Sequence, residues 1–123
     1  MIYEELYKDF KELFPEDEEF FKKIEEEFSI DDTDGMHIVF GTVVTPFIQK
    51  IVNEDVEKTK KAFDYFEKME LDDNQEIGNV FECSVLEGIM CDENGIKAYI
   101  PFMKGKTLEA ARHISQFFDV KPF

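Results

Sequence analysis

Residues 36–52 read MHIVFGTVVTPFIQKIV, and whether they form a strand or a helix decides the fold. Ile38 to Val44 are rich enough in β-branched residues to suit a strand. Against that, the apolar positions Val39, Phe40, Val43, Val44, Phe47, Ile48, Ile51 and Val52 recur at three and four with no change of period, which is helical spacing. These positions cover more than half of the circumference, so the helix belongs inside the fold. Pro46 removes the amide that would bond the Thr42 carbonyl, and a kink is expected there.

The same period appears on both sides of this segment. Ile2, Leu6, Phe10, Leu13 and Phe14 mark a first amphipathic helix that ends before Pro15. Pro15 and the acidic start Glu16 to Glu19 then open a second, with Phe20, Phe21, Ile24 and Phe28 as its buried stripe. Asp32, Thr33 or Asp34 should cap the central helix. Downstream, Asn53 is expected to cap a surface helix with the stripe Val56, Phe63, Phe66 and Met69. Asp72, Asp73 and Asn74 provide a cap, with Glu76 three residues after Asp73 as in a capping box, for a helix from about Gln75 to Met90, whose apolar residues point nearly everywhere and make it central. Ile96 to Met103 is open between a short helix and an extended piece around Pro101. Thr107 should cap a last helix burying Leu108, Ala111, Ile114 and Phe118. The expected fold is all-α: an irregular bundle, or a short α-solenoid-like stack, of six to seven helices.

The 123 residues fit one domain, 1–123, made of an acidic N-terminal hairpin over 1–35 and core helices over 36–118. Surface scaling leaves about two-thirds of the chain's surface to be buried, enough for a core without staples. With 43% hydrophobic residues and 14 Phe, disorder is excluded despite the charge. Cys83 and Cys91 lie too far apart on one helix to bridge and read as buried free thiols. No apolar run is long enough to span a bilayer, and Glu4, Glu5 and Asp9 stand where a secretion signal has basic residues. A cytoplasmic protein without a membrane partner, expected as a monomer, follows.

Motifs for chemistry fail one by one. Lys104-Gly105-Lys106-Thr107 has Ile100 where a phosphate loop has its first glycine. The aspartates around Gly35 would place Ile30 and Gly41 at calcium-ligand positions. His37 and His113 form no metal-binding pair, and Cys83, Cys91, Ser84 and Ser115 lie in no nucleophile motif. Neither catalysis, a metal nor a cofactor is expected.

Charge is the informative property. The net charge is -15, which argues against direct nucleic-acid binding and for a basic partner. Residues 1–35 hold 14 acidic and 4 basic side chains, two-thirds of the excess. Glu18, Glu19, Glu26, Glu27, Asp31, Asp32 and Asp34 are therefore the first candidate partner-binding residues, with Asp72, Asp73 and Glu76 as a second group. Either reading is open for such a face: a solvated surface that keeps the protein soluble, or one shaped to meet a cationic patch. Glu87, placed angularly between Val80 and Cys83 on the central helix, is either an internal hydrogen-bonding tie or an anchor in a concave binding face.

The order Phe63-Asp64-Tyr65-Phe66-Glu67-Lys68-Met69, Glu76-Ile77-Gly78-Asn79-Val80 and Ser84-Val85-Leu86-Glu87 resembles small, acidic, all-helical bacterial proteins of unassigned role. Such families are often encoded in polymorphic-toxin and contact-dependent inhibition loci as immunity proteins. The likeness spans roughly residues 30 to 118. It implies an antitoxin that binds a cognate toxin domain, such as a basic nuclease, and blocks its active site without catalysing anything. A helical adaptor that docks peptides and an acidic nucleic-acid mimic are the alternatives.

Overall fold

The computed structural model describes residues 1–90 and 92–118, and among these every regular element is helical. A 3-10 turn, Tyr3–Glu5, leads into α1 (Leu6–Glu12), and a second, Pro15–Asp17, into α2 (Glu18–Glu27). Next, α3 (Met36–Val39), a π-helical stretch Phe40–Val44 and α4 (Thr45–Ile51) run on as one rod over 36–51. After α5 (Val56–Leu71), a second rod over 75–90 is built in the same way from α6 (Gln75–Val80), a π-helical stretch Phe81–Leu86 and α7 (Glu87–Met90). Two 3-10 turns, Ile96–Ala98 and Ile100–Phe102, settle that segment as helical, and α8 (Gly105–Ser115) comes after them.

The two π stretches lie against each other. Where a proline leaves a carbonyl without its amide, a helix can kink or widen. This one widens, so the kink expected at Thr42 is a π turn just ahead of Pro46. The hydroxyl of Thr45 donates to the Ser84 carbonyl at 2.7 Å and lies 3.2 Å from that of Phe40, tying rod to rod at the point where both ladders are disturbed. Close approach there requires Gly88, since a Cβ on it would sit 2.8 Å from Thr45 Cγ2.

One hydrophobic core runs from Leu6 to Ile114. Phe10 is its aromatic hub, with the rings of Phe14, Phe21, Phe40, Phe47, Tyr65 and Phe66 at centroid distances of 5.2 to 6.4 Å. The Tyr65 hydroxyl meets its need for a partner by donating to the Leu6 carbonyl at 2.7 Å. Four side chains expected in buried stripes, Ile2, Phe28, Val56 and Phe118, are exposed because each stands at or beyond a helix end. Cys83 is also exposed, contrary to the buried thiol expected; Cys91 lies outside the described residues.

Most caps differ from expectation by a residue or two. Asp55, not Asn53, accepts the Lys58 amide at 3.0 Å to start α5. At α6 the cap is Asn74, one of the three residues expected: it accepts the Glu76 amide at 3.0 Å, and the capping box expected of Asp73 is not the one that forms. Gly35 is the N-cap of α3, with no side-chain bond from Asp32, Thr33 or Asp34. At α8 the helix begins at Gly105, so Thr107 is its third residue; its hydroxyl accepts the Lys104 amide at 2.9 Å. The main cap there comes from another helix, because the Glu67 carboxylate of α5 accepts the amides of Lys106 at 3.0 Å and Thr107 at 2.8 Å. Glu67→Ala should therefore cost about 1 kcal/mol, as the loss of a helix cap does, although the residue lies 38 positions before the helix that it caps. Urea denaturation measures this, and an unchanged midpoint would show the two amides solvated.

Candidate partner-binding face

The turn joining α2 to α3 carries Asp31, Asp32 and Asp34. It fixes itself: Asp31 accepts the Thr33 hydroxyl and, at 2.8 Å, the Thr33 amide, while Asp34 accepts the Asp31 amide at 2.9 Å. The Thr33 hydroxyl and then its amide hold the Asp31 carboxyl below the ordinary carboxylate range, so its charge is secure. Ser29, at φ +54°, turns the chain out of α2 into this loop.

These three aspartates and Glu4 border a hollow of about 330 Å³ with Ile30 and Met36 in its wall. Lys8 and Lys11 line it too, but Lys11 is committed to Glu25 at 3.1 Å and lies over the Tyr7 ring at 4.4 Å. Tyr7 also donates to Glu25, and its own hydroxyl proton is held more tightly by burial and by that carboxylate. Glu25 is thus spent internally, so the outward charge is that of Glu4 and the three aspartates against the exposed cation Lys8.

Glu4 continues the charge along the surface. It and Glu76 both act on Tyr3, whose pKa is raised by burial first and then by these two carboxylates. Asp72 accepts the Asn74 amide at 2.9 Å and pairs with the Met1 amino group at 3.1 Å, and both partners keep it ionised below the ordinary range. Asp73 and Glu76 are exposed beside it. Residues 1–4 link the groups Asp31/Asp32/Asp34 and Asp72/Asp73/Glu76, separate in sequence, as an acidic arc: Met1 pairs with Asp72, and Glu4 borders the hollow. Exposed Ile2 and Leu71 lie at its Asp72 end. Sequence reading missed this link because nothing local pairs residues 1–4 with 72–76.

Of the α2 carboxylates, Glu25 alone lines the hollow among the described residues. Glu18 lines a groove with Lys8 and Lys11, while Glu19 and Glu26 share a shallow surface with Lys22 and Lys23, so cations are interleaved with both. Glu27 is exposed near the end of α2. Glu87 is exposed at the start of α7, and its neighbour is Cys83 on the same rod rather than a residue of another helix. Among the described residues no bond runs from Glu87 to another helix, so the internal tie, one of its two readings, is not seen there. Burial and then the Glu87 charge raise the Cys83 thiol pKa, the opposite of an activated nucleophile.

His37 Nδ1 lies 2.9 Å from Ser84 Oγ, an exposed contact between the two rods, and exposed His113 packs edge-on to Phe117. Among the described residues no three His, Cys, Asp or Glu are placed to hold a metal ion, and no helix is long and apolar enough to cross a membrane. No curated protein and no solved structure matches the chain. Residues 7–119 match a family model described as a domain of unknown function, DUF7674, and with nearly the whole chain covered the protein belongs to that family.

Proposed function

We propose that the chain is a binding protein of the immunity type, which neutralises a cognate toxin domain by covering a basic active-site surface, such as a nuclease's substrate channel, with its acidic arc. The observation that carries this reading is the arc: Glu4 and the three aspartates of the 31–34 turn around one hollow, with Asp72, Asp73 and Glu76 beyond Met1, and with the Asp31 and Asp72 carboxylates fixed by hydrogen bonds. A field of one sign speeds encounter with a partner of the other, and apolar side chains at its border supply contact area once the two have met. In this reading the chain makes and breaks no bond.

The variant Glu4→Lys/Asp32→Lys/Asp73→Lys/Glu76→Lys alters only exposed carboxylates with no cap or turn bond from their side chains. Measured against a basic toxin domain found encoded next to a chain of this family, its association rate should fall about 10- to 100-fold at low salt and lose most of its salt dependence. Growth protection in co-expressing cells should fail in parallel. An unchanged rate would move the interface to Glu18, Glu19, Glu26 and Glu27. Capture of a transcription or restriction protein instead would favour nucleic-acid mimicry, and turnover of a substrate by the chain alone would end the binding reading.

A further inference from the structure

Glu70 stands in the last turn of α5, and its Oε1 is a buried oxygen with no hydrogen-bond partner among the described residues. Facing it across the helix interface is another carboxylate, Glu82, within hydrogen-bonding reach. Two carboxylates only accept, so they cannot bond each other unless one carries a proton. The two side chains line two adjoining hollows, one bounded by α8 and the other by α6.

We propose that Glu70 and Glu82 share one proton, and that this proton is a pH-sensitive latch holding the second rod to the end of α5. The charged surroundings fit a held proton. From α5 itself Glu67 faces the pair, though its oxygens are engaged by the α8 amides. From α8 come Glu109, His113 and Lys106, the last paired to Glu109 at 3.5 Å. From the turn before α6 comes Asp72, paired to the Met1 amine. The groups named around Glu70 thus hold more negative than positive charge, and Lys106 among them is paired to Glu109. Burial first, then the contact with Glu82 and the charges of Glu82, Glu67 and Glu109, raise the Glu70 carboxyl from 4.5 to about 8.

The sign of the effect comes from linkage. Between those two values the folded chain holds a proton that the unfolded chain has released, so stability falls as pH rises through the window. The melting temperature of the natural chain should drop by several degrees, about 3 to 8 °C, between pH 5.5 and 8.5. Glu70→Gln replaces the shared proton with a permanent amide donor; its profile should be flatter over that range, and it should melt above the natural chain at pH 8.5. Parallel profiles of the two proteins, or a natural chain whose melting does not change, would overturn the proposal. Carboxyl-carbon NMR of the natural chain tests the same proton without a variant: one glutamate titrating near or above neutrality is expected, and none doing so removes the latch.

Discussion

Phe10→Ala should destabilise the fold by about 3–5 kcal/mol, the range for removing a fully buried aromatic side chain. Phe10 has no exposed surface and its ring meets six others, drawn from α2, the first rod and α5 as well as the adjacent chain. Edge-on and tilted pairs of this kind add to the loss beyond the area uncovered. A domain of this size has a total stability of about 5–15 kcal/mol, so one truncation consumes a large part of it. Urea unfolding followed by circular dichroism measures the change. A cost under about 1 kcal/mol would mean that α1 is not docked on the core.

Gly88→Val is expected to cost about 2–3 kcal/mol by overpacking. The new Cβ would sit 2.8 Å from Thr45 Cγ2, and Thr45 has little freedom to retreat because its branched side chain is buried and its hydroxyl is bonded to the Ser84 carbonyl. A gain in helix propensity over glycine offsets only a few tenths of a kcal/mol. Thr45→Ala should itself destabilise, by removing the hydroxyl bond to the Ser84 carbonyl that joins the two rods. Combined with Gly88→Val it should cost less than the sum, with a coupling of about 1 kcal/mol. Strict additivity of the two, measured by the same urea unfolding, would place the rods farther apart than the 2.8 Å approach implies.

The all-helical fold and its core were legible because Val39 through Ile51, and likewise Ile77 through Met90, hold a three-and-four spacing that no strand can satisfy. Angular detail was not. Placing Glu87 and Cys83 at about 100° per residue assumes an unbroken α-helix. The π turn over Phe81–Leu86 widens the spiral and rotates the residues beyond it, and both side chains emerge on the outside. Caps slipped for a different reason. Asn53, Glu54 and Asp55 are all short polar or acidic candidates, and the bonds of the Glu54 and Asp55 amides to the Ile51 carbonyl decide that Asp55 is the one to cap.

The candidate face divides along the same line. The aspartates of the 31–34 turn were visible as a dense local run, and their gathering at one hollow comes from the turn's own bonds. Their union with Asp72, Asp73 and Glu76 was hidden, since it passes through residues 1–4 at the far end of the sequence. The Glu70 and Glu82 contact was hidden likewise: on α5 alone Glu70 reads as one more surface acid.

The carboxylate that Glu67 extends to α8 makes the last helix a dependent of the fifth. Eleven residues are too few to remain helical alone in water, where nucleation outweighs so short a ladder. Its helical form therefore depends on α5 supplying the acceptor for its first amides, so whatever loosens the end of α5 also unsettles a segment nearly forty positions further along the chain.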